Sequence, residues 1–87
     1  MALTMGYSRR FIRAFSKLER DLQEEILEKV ELFKDPKNHK RLKVHKLSGR
    51  LKGIMSFSVN YRIRITFTYV SKDTIAVHSV GTHDEVY

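Results

Sequence analysis

Two hydrophobic periods divide the chain. In the first third, apolar positions recur at spacings of three and four: Phe11, Phe15 and Leu18, then Leu22, Ile26, Val30 and Phe33. That spacing predicts two amphipathic helices. Ser8 is placed to cap the first, with Arg9, Arg10, Arg13 and Lys17 on its remaining surface. Glu19-Arg20-Asp21 reads as a tight turn, and Asp21 followed by Glu24 reads as a capping box for the second helix. Pro36 sets the limit of that helix, because a residue before proline is pushed out of helical geometry. Ahead of both helices, Met1 to Tyr7 is a short, weakly patterned strand.

Beyond residue 50 the period becomes two. Odd positions from Leu51 to Val59 read Leu, Gly, Met, Phe, Val, and from Tyr61 to Tyr69 they read Tyr, Ile, Ile, Phe, Tyr. The even positions Arg62, Arg64, Thr66 and Thr68 are polar, which predicts a strand with one buried and one open face. Turns fall near Asn60 and at Ser71-Lys72-Asp73, and a last strand runs Thr74 to Val80, closed by Gly81. The predicted order is β-α-α-β-β-β. It describes an α+β domain whose antiparallel sheet carries an N-terminal helical hairpin on one face. Eighty-seven residues leave room for one core, so residues 1–87 are expected to form a single domain.

Charge adds what periodicity does not show. The formal net charge is +7, and it is unevenly spread. Pro36 to Arg64 holds nine Lys or Arg and no Asp or Glu, whereas Glu19 to Asp35 holds seven acids against three bases. The first stretch predicts a polyanion-binding surface, the second a solvated helix of mixed charge. Lys37, Lys40, Arg41, Lys43, Lys46, Arg50 and Arg64, with Arg9, Arg10 and Arg13 of the first helix, are the candidate RNA-binding residues. With no cysteine, disulfide scaffolds and Cys-based zinc sites are excluded. No apolar run approaches the roughly 18 residues of a membrane span, and Met1 to Gly6 is too short for a signal peptide. The expectation is a soluble cytoplasmic protein without a membrane partner.

The ionisable groups that share one rim of the predicted sheet are His45, Lys52, Arg62 and His83, with Tyr87 folding back over them. His45 and Lys46 lead into the second strand, and Lys52 lies early in it. His78 joins the open face by parity, and His39 sits in a basic loop as a solvated residue. No HxxxH or HExxH pairing is present, so no metal is expected, and nothing calls for a cofactor. The set suits RNA phosphodiester cleavage, in which the 2′-OH of the substrate is the nucleophile. The protein then supplies an acid, a base and cations for the phosphate. Histidine titrates near neutrality, Arg and Lys hold phosphate oxygens, and an aromatic ring stacks on an unpaired base.

The segments HKLSGRLKGIMSFSVNYRIRITFTYV and IAVHSVGTHDEVY resemble the RelE/ParE superfamily of bacterial toxins, in particular its RelE and YafQ-like members. The resemblance covers most of the chain. It implies a RelE-like fold and a ribosome-dependent endoribonuclease that cuts mRNA, contacting mRNA and ribosomal RNA. It also implies a small, acidic cognate antitoxin. Carried over by position, His45 matches a proposed acid or base, Lys52 a lysine near the scissile phosphate, and Arg62 a phosphate-stabilising arginine. His83 matches the last catalytic position and Tyr87 the aromatic that stacks on or orients a base. Ser56, Ser58 and Asn60 stand where YafQ-like members carry a second histidine and acids, which leaves the base as His45 or His83. ParE relatives share the fold but poison DNA gyrase and lack this set. A gyrase inhibitor and an inactive RNA- or partner-binding module are therefore the alternative readings.

Overall fold

Ser8 ends the first strand and starts the first helix in one step. In the computed structural model, which describes residues 2–87, its side chain accepts a hydrogen bond from the Phe11 N–H, 3.0 Å away, and its hydroxyl donates to the His78 carbonyl. Strand β1 (Thr4–Tyr7) therefore turns directly into helix α1 (Arg9–Ser16). Met1, the start of the strand expected from sequence, lies outside the described residues. Helix α2 (Arg20–Phe33) begins two residues earlier than the capping-box reading required. Its N-cap is Glu19, which makes no side-chain cap bond, and Asp21 instead lies in the first turn, where a carboxylate favours the helix dipole.

Three further strands complete the core of the sheet: β3 (Met55–Ser58), β4 (Ile63–Ser71) and β5 (Thr74–Thr82), preceded by the two-residue β2 (His45–Lys46). The sheet order is β1-β5-β4-β3-β2. From β2 to β5 all pairings are antiparallel, as the sequence predicts, but β1 runs parallel to β5, so the sheet is mixed. The strand expected from Leu51 starts only at Met55. Gly49 and Gly53 occupy positive φ (68° and 95°), and Gly49–Leu51 forms a 3₁₀ turn that holds the chain out of the sheet. Lys52 therefore sits on a loop rather than early in a strand.

The helices cover one sheet face, and Phe33 is the centre of the core beneath them. Its ring stacks on Phe57 at 4.4 Å and meets Phe67 edge-on at 4.8 Å. Ile26, Val30, Ile65, Ile75 and Val77 close around that cluster. His39 also belongs here, against the expectation of a solvated loop residue. It stacks on Phe33 at 4.4 Å and donates through Nε2 to the Phe33 carbonyl at 2.8 Å, satisfying a helix-end acceptor that would otherwise be orphaned.

Candidate functional site

The register of the sheet carries one row of side chains across the face away from the helices. His45 pairs with Ser56, Ser56 with Thr66, and Thr66 with Ser79. Paired residues point to the same side, so a histidine and three hydroxyls line up over four strands. A bulge at His78, where Thr66 faces Ser79 but Phe67 faces Val77, keeps both His78 and Ser79 on this face. His78 engages the Thr68 hydroxyl at 2.9 Å.

Sequence parity predicts an open face, yet Ser56, Thr66 and Ser79 are buried on it. The chain's last residues cover them. After Thr82 the backbone makes the single-turn helix α3 (His83–Val86), and Tyr87 reaches back to hydrogen-bond Ser56 through its phenol oxygen. Gly81 is what lets this tail lie down. It is a buried strand residue, not the turn expected from sequence. A Cβ at that position would stand 3.0 Å from Glu85 Oε1, 3.2 Å from Glu85 Cβ and 3.3 Å from Val86 Cγ1.

Glu85 pins the turn. Its carboxylate accepts from the Thr82 backbone N–H at 2.8 Å, and this bond, with the Thr82 hydroxyl and the nearby Arg62 charge, holds its pKa below the usual 4.5. The spacing Thr82-His83-Asp84-Glu85 carries the T-x-x-E signature of a helix start, a legible signal that the strand alternation just before it obscures. His83 then faces Tyr87 one turn later, ring edge to ring face, with centroids 4.3 Å apart. On its other side, His83 Nδ1 lies 3.5 Å from an Asp84 carboxylate oxygen.

His45 is fixed from the opposite side of the cleft. Its Nδ1 lies 2.8 Å from the Lys43 carbonyl. A carbonyl only accepts, so Nδ1 carries the proton and Nε2 holds the free lone pair of the neutral ring. Lys43 reaches this geometry through φ 59°, the single positive φ among the described non-glycine residues.

His45, Lys46, Leu47, Ser48, Leu51, His83 and Tyr87 together enclose a cleft of about 290 Å³. Two imidazoles, an ammonium and a phenol ring thus meet in one exposed recess. Lys46 and Lys52 share the adjoining hollow under the 3₁₀ turn, so Lys52 stands beside the cleft and not in it. Arg62 lies further off. It lines the groove along α2 with Lys17, Glu19, Asp21, Glu24 and Glu28, and its charge acts on Glu85. At about 830 Å³ that groove is larger than the cleft, but its carboxylates repel phosphate. Arg41, Lys43 and Arg64 gather at a third hollow, while Arg9, Arg10 and Arg13 are on the surface of α1. Lys37, Lys40 and Arg50 lie on the connecting segments. Ser56, which holds Tyr87, has no signal in the sequence beyond its parity. Among the described residues no group of three His, Asp or Glu side chains is arranged to hold a metal ion, and no helix is long and apolar enough to cross a membrane.

The fold is RelE-like, similar to those of solved toxins and toxin–antitoxin complexes. The chain matches no family model and no curated protein. Among solved structures, the DinJ–YafQ toxin–antitoxin complex of E. coli aligns with a TM-score of 0.76 at 14% identity, covering 100% of this chain and 99% of that one. The RelBE2 toxin–antitoxin complex of Mycobacterium tuberculosis gives 0.73 at 16% identity over 95% of this chain and 100% of that chain. A YoeB/ParE toxin from Agrobacterium tumefaciens gives 0.66 at 15% identity over 93% and 99%.

Proposed function

We infer that the protein is the toxin of a type II toxin–antitoxin pair and cleaves translated mRNA on the ribosome. The observation that carries this reading is the cleft holding His45, Lys46, His83 and Tyr87 together. His45, with Nδ1 bonded to the Lys43 carbonyl, offers Nε2 as the base. It takes the proton of the substrate 2′-OH. The freed oxygen attacks the adjacent phosphorus, the bond to O5′ breaks, and the imidazolium of His83 protonates O5′. The products are a 2′,3′-cyclic phosphate and a 5′-hydroxyl. Lys46 supplies charge to the non-bridging oxygens as negative charge builds on them. Tyr87 orients His83 by its ring contact and presents a surface on which a base stacks. Lys52, beside the cleft, acts on a neighbouring phosphate, and Arg62, further off among the α2 carboxylates, does not reach the reacting one.

The partner is a cognate antitoxin. Support comes from the fold shared with the toxins of the DinJ–YafQ and RelBE2 complexes. The gyrase-inhibitor reading makes the opposite demand on the tail, since His83 and Tyr87 would then be dispensable.

Adding purified protein to translating ribosomes and following full-length mRNA tests the reading. Loss of message with the wild type, and its survival with His83→Ala or His45→Ala, is the expected result. General acid–base groups contribute about 10²–10⁴-fold each. Cleavage at wild-type rate by both variants would refute the assignment. Lys46→Ala is expected to slow cleavage more than Lys52→Ala or Arg62→Ala, and the reverse order would return the phosphate-stabilising role to Arg62.

A further inference from the structure

The third hollow lies outside the cleft, at the turn between β3 and β4. Lys29 of α2, Arg41, Lys43 and Arg64 converge on a space of about 320 Å³ closed by Asn60 and Tyr61. Like charges brought this close repel one another, and no carboxylate within ion-pair distance neutralises Arg41, Lys43 or Arg64 among the described residues. Lys29 has only a 3.9 Å approach to Glu28. The acid facing the turn, Glu25, is already engaged by the Asn60 side-chain amide at 2.8 Å.

The turn itself is rigid. The Asn60 side-chain oxygen accepts from the N–H groups of Arg62 and Ile63, at 2.9 and 2.8 Å. The Arg64 guanidinium donates to the Asn60 carbonyl, which holds it at the hollow's edge. On this fixed turn Tyr61 is 91% exposed, the most exposed large hydrophobic side chain of the described residues, with nothing packed on its ring. A concave cluster of uncompensated cations beside a bare aromatic ring has the chemistry to hold a phosphate and the flat face of an unpaired base. An acidic peptide would use the cations but leave the ring without a role.

We propose that this hollow is a second RNA site, gripping one backbone phosphate and stacking the adjacent base of a single strand on Tyr61. The proposal rests on the nuclease reading only for its connection to the cleft. Ser56, in the His45 row, and Ser58, which pairs with Arg64, are two residues apart on β3. At about 3.3 Å per residue those two rows are about 7 Å apart along the strand. The hollow is also lined by Lys29 of α2, so it opens beside the helices, while the cleft lies under the C-terminal tail. A single strand held in the hollow would flank the cleft rather than enter it.

Direct binding of a fluorescent single-stranded oligoribonucleotide to the purified full chain tests this without relying on cleavage. Tyr61→Leu is expected to weaken binding at least about fivefold, the lower range for loss of base stacking. Arg41→Gln is expected to flatten the salt dependence by about 0.7 for each phosphate no longer neutralised, with charge-matched Lys72→Gln on the β4–β5 turn unchanged. Equal losses in Arg41→Gln and Lys72→Gln, with no effect of Tyr61→Leu, would overturn the site as mere net charge. Poly-glutamate competing as well as the RNA, again indifferent to Tyr61→Leu, would overturn it in favour of an acidic protein. Binding that depends on Tyr61 in a protein that cuts no mRNA would support the hollow while refuting the nuclease reading.

Discussion

At the residue scale, two positions set the candidate site, Lys43 and Ser56. Lys43 adopts a conformation that costs a non-glycine residue about 1–3 kcal/mol where the surroundings impose it, and its carbonyl is what fixes the His45 ring. Lys43→Gly is expected to stabilise the fold slightly while weakening RNA binding, which thermal melting and oligonucleotide titration would separate. Ser56 fixes the other partner by its hydrogen bond to Tyr87. Ser56→Ala leaves the phenol oxygen without that partner, and we expect cleavage to fall while the melting temperature changes little. A Tyr87 ring unmoved in NMR spectra of that variant would contradict the role. His45 and His83 are legible from sequence because histidines beside a turn are exposed and chemically competent. Arg62 is misplaced by parity alone: the alternation puts it on the correct face, but it lies beyond the last residue pair of the β3–β4 ladder and turns to the α2 groove.

At the element scale, the C-terminal turn acts as a clasp. Its anchor is Glu85, whose folded pKa lies below the ordinary value because Thr82 donates to the carboxylate. A depressed carboxylate pKa adds stability above the ordinary value of 4.5, and that stability is lost as pH falls through the folded value. The tail is therefore expected to loosen in acid before the sheet unfolds, visible as a shift of Tyr87 ring signals that Glu85→Gln abolishes. Gly81→Ala places a methyl against Glu85 and Val86 and is expected to displace the clasp, at about 1–3 kcal/mol if the tail stays docked. Unchanged cleavage in that variant would argue against a docked tail. Helix α1 carries Arg9 and Arg10 in its first turn with no acid there, against the favourable dipole arrangement. That placement is understandable if these side chains meet a polyanion.

At the scale of the whole molecule, the alternation of residues 55–80 and the two helical stripes are enough to define the fold class. The strands β3 to β5 are readable because each turns its large apolar side chains to the helix side, so the alternation is plain up to the bulge at His78. Two features have no local signature: the parallel pairing of β1 with β5, and the tail covering Ser56, Thr66 and Ser79. Both join residues far apart in sequence. Gly49 and Gly53 hide the late start of β3, because their positive φ breaks a pattern that looks continuous by letter. The shared core predicts that Phe33→Ala costs about 3–5 kcal/mol by removing the ring against which Phe57, Phe67 and His39 pack, a loss readable by denaturant unfolding.

The most direct test is the chemistry of the cut ends. Message isolated from ribosomes translating in the presence of the wild-type protein should carry 2′,3′-cyclic phosphate and 5′-hydroxyl termini, and the same reaction with His45→Ala should leave it intact. Termini bearing a 5′-phosphate, or an intact message with DNA damage in cells that stop growing, would contradict the account.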